Sequence, residues 1–237
     1  MMERRMHLWV EDKKGKSSFV FWSVLAGELF PSVSVESKKN NSELVKAVKS
    51  IDDSDLYFIA MDNSFDNPDV YREQKKLKEY SKGKNVIQLD FICFEYLLLE
   101  FNQLLDWIYA KEDEFRNIRA TAIDARNTLV KILSDGELNY KQADEIARYD
   151  LNLQNRNIEQ LSAKLLYDLT RNTGFEVTKR QLGDCWISSC CGWNDRQEDD
   201  LCGLEDIRLR LDEKMKAIYN GTSIKREFSK AGLEVES

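Results

Sequence analysis

The chain has 237 residues, 42% hydrophobic and 32% charged, which is enough apolar mass for a folded core and excludes a disordered polymer. A net charge of −7 argues against a non-specific coat on nucleic acid, and no apolar run reaches the roughly 18 residues of a membrane span. Five cysteines, an odd number, do not read as a secreted disulfide framework, and the apolar run after Met1–Arg5 is too short for a signal peptide, so a cytoplasmic protein with reduced thiols and no membrane association is expected.

In chain order, His7–Val10 is a short β-prone run ending in Glu11-Asp12. Gly15 and Lys16 form a turn, Ser17 or Ser18 caps a helix, and Phe19, Phe21, Trp22, Leu25, Ala26 and Leu29 recur at helical spacing up to Pro31. Val33–Val35 is a second strand, and Asn41-Ser42-Glu43 opens a helix carrying Leu44, Val45, Val48 and Ile51. Leu56–Met61 is almost wholly apolar, as a central strand covered on both faces must be, and it too ends in an acid, Asp62. Pro68 suits the first turn of the next helix, Gly83 ends it, and Asn85–Leu89 is a fourth strand. From Phe91 onward the pattern is helical: Phe91–Phe115, with a possible run on towards Leu133, then Tyr140–Tyr149, Ile158–Leu169, Thr178–Trp186 and Leu204–Tyr219, with a frayed end from Gly221. This alternation predicts an α/β fold, an open parallel sheet of Rossmann-like type flanked by helices. Residues 1–90 form the α/β domain and 91–237 a helical domain.

Open parallel sheets bind ligands beyond the carboxyl ends of their strands. Glu11 follows the first strand and Asp62 the third. Asp66 lies in the loop after Asp62, and Asp90 ends the fourth strand. Mg²⁺ or Mn²⁺ takes hard oxygen ligands and keeps several waters, so two or three carboxylates from separate strands suffice to hold one. The plainer reading is that acids follow strands because loops are polar. Lys13, Lys14 and Lys16, then Lys38 and Lys39, belong at the same edge and could take a nucleic-acid backbone phosphate, although solvated lysines are the commoner case.

Trp9-Val10-Glu11-Asp12-Lys13, a helix and then Phe58-Ile59-Ala60-Met61-Asp62 resemble the Toprim domain of topoisomerases, primases and overcoming-lysogenization-defect nucleases. That family's pattern is a Glu ending its first strand and an Asp-x-Asp pair ending a later one. Over about residues 6–102 the chain is similar to small stand-alone Toprim-like proteins of bacterial phage defence, such as the RloB-like group and the nuclease partner of the PARIS system. Those also carry a Phe-Glu followed by aromatic and leucine residues, as Phe94-Glu95-Tyr96-Leu97-Leu98-Leu99 does here. The resemblance implies a Mg²⁺-dependent nuclease acting on DNA or RNA, with Glu11 as general acid or base and Asp62 and Asp66 as metal ligands. It also implies an ABC- or AAA-type ATPase partner, hence a hetero-complex or oligomer. Glu95 and Asp90 are further candidate ligands. The family's second acid is replaced here by the sequence Asp62-Asn63-Ser64, which leaves open a non-catalytic adaptor or sensor that binds a protein partner.

Cys185, Cys190, Cys191 and Cys202 fall within eighteen residues, but Cys-x4-Cys-Cys-x10-Cys lacks the paired spacing of zinc knuckles, so packing beside Trp186 and Trp193 is favoured over zinc. His7, the one histidine, reads as structural, and Asp195–Asp200 reads as a solvated acidic loop.

Overall fold

The apolar run Leu56–Ala60 becomes one of the two inner strands of a sheet covered on both sides. A computed structural model describes residues 4–51, 54–110, 114–192 and 202–235. Among them β1 (Met6–Val10), β2 (Val33–Ser37), β3 (Leu56–Ala60) and β4 (Val86–Leu89) form one all-parallel open sheet in the order β2-β1-β3-β4. The chain leaves β1 through α1 (Ser17–Leu29), returns from β2 through α2 (Asn41–Lys49), and joins β3 to β4 through α3 (Pro68–Tyr80). The first step moves one way along the sheet and the later two move the other way. Right-handed crossovers therefore place α1 on one face and α2 and α3 on the opposite face.

Packing follows that rule. Leu8, Val10, Phe58 and Ala60 meet Phe21, Trp22 and Leu25 of α1. Trp9, Tyr57, Ile59 and Met61 alternate to the other side and meet Leu44, Val45, Val48 and Leu77. Asn40 caps α2 by accepting from Glu43 N at 2.9 Å, and Asn67 caps α3 ahead of Pro68. The expected serine cap of α1 does not form. Lys16 occupies the cap position, Ser18 Oγ donates to Asp12 Oδ2 at 2.6 Å, and Ser17 Oγ donates to the Thr178 carbonyl.

After Asp90 the described chain is helical: α4 (Phe94–Leu99), α5 (Leu104–Ile108), α6 (Phe115–Ile118), α7 (Ala120–Ser134), α8 (Asp144–Tyr149), α9 (Ile158–Thr170), α10 (Asp184–Ile187), α11 (Leu211–Gly221) and α12 (Ser223–Lys230). The single helix expected from Phe91 is thus broken. Arg126, buried on α7, donates to the carbonyls of Leu99 and Phe101, both at 2.7 Å, and so satisfies the acceptors that an interrupted helix exposes. Thr178–Trp186 is not one helix either. Val177 and Leu182 form an antiparallel bridge, and only α10 follows. The helix expected over Leu204–Tyr219 starts at Leu211.

The end from Gly221 is not frayed. Gly221 lies where a side chain would strike Phe101 and Asn102, and α12 buries Ile224 and Phe228. Phe228 stacks against Trp22 at 6.0 Å between ring centroids and meets Phe30 in a tilted contact at 5.1 Å. One core therefore runs from Leu8 to Leu233 across residue 90, with the helices after Asp90 packed on the α1 face. Among the described residues no helix is long and apolar enough to cross a membrane. Residues 195–200, the acidic stretch, lie outside those described.

Phe228→Ala is expected to lower the stability of the whole chain by roughly 3–5 kcal/mol, the cost of a large cavity in a packed core. Denaturant unfolding should show one cooperative transition moving to lower denaturant. An unchanged midpoint would mean that α12 is not part of the core.

Candidate functional site

The strand order reverses between β1 and β3, and at such a switch point the loops leaving the two strands diverge and open a crevice. Register pairs Val10 with Ala60, so the next residues out, Glu11 and Met61-Asp62, leave the sheet side by side. Asp62 N donates to Glu11 Oε2 at 3.2 Å. The far side of this exit is held by Gln74 of α3, whose buried amide donates to the Asp62 carbonyl at 2.8 Å. Asn63 N donates to the carbonyls of Phe91 and Ile92, at 2.9 and 3.0 Å, which fastens the loop after β3 to the loop after β4.

A cavity of about 430 Å³ opens on the α1 face of this crevice. Its polar side carries Glu11, Asp12, Asp62, Glu95 and Glu159, with Lys179 among the lining residues, and its apolar side carries Trp22, Phe91 and Phe94. Glu95 comes from the first turn of α4, and Glu159 from the first turn of α9, which packs against α4. Four separate parts of the chain, the exits of β1 and β3 and the first turns of α4 and α9, thus deliver five carboxylates to one hollow.

Like charges in such a hollow cannot all stay ionised. Two unit charges about 4 Å apart repel by about 4 kcal/mol even at an effective dielectric of about 20. Burial pushes the Glu11 carboxyl up to about 8, aided by Asp12 and Glu159 and partly offset by the bond from the Asp62 amide. Asp62 is driven well above the usual carboxylate range by burial first and then by Glu11, Glu95 and Glu159. The two side chains interact directly, and the charge of Glu11 adds to the rise at Asp62. Burial lifts Glu95 to about 7, with Glu159 and Asp12 adding to the rise and Lys179 opposing it. Among the described residues no three His, Cys, Asp or Glu side chains stand in a metal-holding arrangement.

Not every residue marked in the sequence joins this cluster. Glu11, Asp62 and Glu95 do. Asp66 does not: its carboxylate accepts from Ile158 N at 3.0 and 3.2 Å and from the Tyr140 hydroxyl at 2.6 Å. Asp90 accepts from Asn63 Nδ2 at 2.7 Å and is exposed away from the cavity lining. Ser64, 1% exposed, donates to the Ile92 carbonyl, so neither residue that follows Asp62 turns a ligand into the hollow.

The basic residues sort in the same way. Lys13 and Lys14 are exposed in the β1–α1 loop at this edge of the sheet, with Lys16 at the cap of α1, and none of them lines the cavity. Lys38 bonds Glu36 at 2.9 Å and lies 3.7 Å from the Trp9 ring centre, on the opposite face, while Lys39 is exposed beside it. The lysine that does line the cavity, Lys179, carried no sequence signal. Glu159 was equally silent. The Asn157-x-x-Gln160 capping box marks the start of α9, but nothing local says that this helix docks at the sheet edge.

The cysteines sit elsewhere. Among the described residues Cys185, Cys190, Cys191 and Cys202 form no metal-holding group, and burial raises the Cys185 thiol to about 11. His7, at the opposite end of β1, lies between Glu36 at 2.7 Å and Asp55 at 3.3 Å.

No family model, no curated protein and no solved structure matches this chain.

The raised carboxyls make stability depend on pH in a defined direction. A folded value above the ordinary 4.5 means that the native state binds the proton more tightly than the unfolded chain does. The penalty is absent in acid and accumulates as pH climbs from about 4.5 to about 8. Thermal unfolding at low ionic strength without divalent metal should therefore show a midpoint that falls between pH 6 and 8. Glu11→Gln, which keeps the acceptor for Asp62 N, should be less sensitive to pH and more stable than wild type at pH 8. Parallel curves for the two proteins would contradict the assignment.

Proposed function

We propose that this protein is a divalent-metal-dependent phosphodiesterase acting on DNA or RNA, with its site in the crevice between β1 and β3. The observation that carries the reading is the convergence of Glu11, Asp62, Glu95 and Glu159, from four separate elements, in one cavity with no arginine among its lining residues and one lysine. Acids gathered against their own repulsion, without a matching set of bases, call for a cation. Mg²⁺ or Mn²⁺ bound there would neutralise the cluster and offset negative charge developing on a phosphate.

The chain's own groups have complementary tasks. Glu11 and Asp62 form the centre of the cation site, and in its absence burial holds both carboxyls towards the protonated form. Glu95, whose carboxyl is poised near 7, can hold or release a proton at neutral pH, as a general acid or base must. Lys179, exposed in the turn between Val177 and Leu182, can meet a phosphate entering the cavity, and Lys13 and Lys14 can meet the backbone beyond it. The resemblance in residues 6–102 is consistent with this chemistry and extends it to an ATPase-controlled nuclease of phage defence.

One observation favours a second reading, in which the protein is an adaptor that binds a partner without cutting. The position two residues after Asp62 is Ser64, buried and bonded to the Ile92 carbonyl, so the second acid of an Asp-x-Asp pair is absent. Glu95 and Glu159 stand in the cavity instead, and whether they supply the missing charge separates the two readings.

Incubation of the chain with single-stranded and duplex oligonucleotides and with transfer RNA, in Mn²⁺ or Mg²⁺, should give cleavage abolished by chelator. Glu11→Gln and Asp62→Asn should each cut more slowly by a factor of about 100 or more, as removal of one electrostatic group from a site typically does. Equal cleavage by all three proteins would dismiss this site. No cleavage by any, with retained protein-partner binding, would favour the adaptor.

A further inference from the structure

A second cavity, of about 170 Å³, lies behind the crevice, and Phe91 and Leu97 line both. It is enclosed by α4, the loop after β4, the end of α7 and the start of α12. Glu100, at the end of α4, takes the Ser223 amide at 2.7 Å and the Ser223 hydroxyl on one of its oxygens. Among the described residues its other oxygen has no hydrogen-bonded partner. Burial pushes the Glu100 carboxyl up, while Ser223, Arg226 and Arg126 oppose that rise and favour its ionised form.

Tyr96 is 5% exposed, and among the described residues its hydroxyl has no hydrogen-bonded partner either. That hydroxyl is not sealed in the core but opens on this cavity. Burial and then Glu100 push the phenol up, so it keeps its proton at neutral pH. A polar group left without a partner in so buried a place costs stability unless something in the cavity bonds it. The cationic group of the lining is Arg226 of α12. Its Nε bonds Glu227 at 2.8 Å, its terminal nitrogens have no hydrogen-bonded partner among the described residues, and its side chain is 63% exposed, which puts it at the mouth. Asp90, also in the lining, accepts from Asn63 at 2.7 Å.

We propose that this cavity binds a small zwitterion of amino-acid type, with its ammonium against Glu100, Tyr96 and Ser223 and its carboxylate on Arg226. An ammonium offers three donors and no acceptor, and the free Glu100 oxygen and the hydroxyl oxygens of Tyr96 and Ser223 can each accept one. The terminal nitrogens of an arginine match the two oxygens of a carboxylate. The anion lies inside and the cation at the mouth, so the amine end enters first. An apolar cavity of roughly 150 Å³ holds benzene, about six non-hydrogen atoms, which is the size of alanine. Phe91 and Leu97 offer apolar contact to a short side chain. The proposal uses none of the carboxylates of the crevice and is independent of the phosphodiesterase reading.

The test is a saturation-transfer NMR titration of the full-length chain at pH 7.5 with glycine, L-alanine and L-serine, beside ethylamine and propionate, which carry one charge each. At least one amino acid should bind about 10-fold or more tightly than either single-charge probe, as loss of a charge-assisted hydrogen bond implies. Tyr96→Phe should weaken that binding about 10-fold. It should leave the ligand-free thermal midpoint unchanged or higher, because the hydroxyl has no partner in the protein to lose. Glu100→Gln and Arg226→Gln should each weaken binding by about 10-fold or more. If Glu100→Gln does not fold, Tyr96→Phe and Arg226→Gln decide. Ethylamine bound as tightly as the amino acids, or an affinity indifferent to Arg226→Gln, would overturn the zwitterion assignment. Saturation transfer to none of the probes would overturn the site and leave a cavity that holds water only. A Tyr96→Phe chain that melts lower and binds the amino acid unchanged would make Tyr96 a structural residue and overturn its part in the site.

Discussion

The contact between Glu11 and Asp62 governs the rest of the molecule's chemistry. It exists because β1 and β3 are neighbours in register, so that Val10 and Ala60 end level and their successors leave the sheet together. The sheet order reverses there, which opens the space that the cavity occupies. Two carboxyls meeting in that space cannot both be charged without a counter-ion, so they take a proton or a cation. The remaining features answer this constraint. Gln74 and the Asn63 amide hold the strand exit still, Lys179 offers one positive charge at the cavity, and Glu95 and Glu159 add negative charge where the pair already repels itself.

The structure accepts that electrostatic cost within a well-built frame. Both sheet faces are covered, the aromatic contacts of Trp22 and Phe30 with Phe228 carry the core through to the last helix, and Arg126 settles the carbonyls at the break after α4. A cluster of like charges at the edge of such a frame fits a stability–function compromise, in which a rigid scaffold holds an unfavourable arrangement for a ligand to relieve.

Much of the α/β half was legible because its signals are local. Apolar runs of five or six residues, Pro68 at a helix start and a gain of acid at the strand ends each depend on neighbours in sequence. Glu11, Asp62 and Glu95 could be named on that basis. Asp66 could not be assigned correctly, because its partner amide belongs to Ile158, 92 residues away. Glu159 and Lys179 went unmarked for the same reason: their place follows from how α9 and the Val177–Leu182 turn dock on the sheet edge, and no periodicity encodes that docking. The run from Phe91 read as one helix because its leucines and aromatics are dense. Its interruption depends on Arg126, again distant in sequence, which makes broken helical hydrogen bonds tolerable. The end after Gly221 read as frayed because its charged residues outnumber the two apolar anchors, Ile224 and Phe228, that bury it.

The central claim is that the Glu11–Asp62 crevice is a divalent-cation site. An X-ray structure of crystals soaked in Mn²⁺, with data collected at a wavelength where manganese scatters anomalously, addresses it directly. The account predicts one strong anomalous peak within coordinating distance of Glu11 and Asp62, about 2.0–2.5 Å from their oxygens as hard cations require. Density showing the two carboxyls still in direct contact at saturating Mn²⁺, with no peak in the cavity, would contradict it.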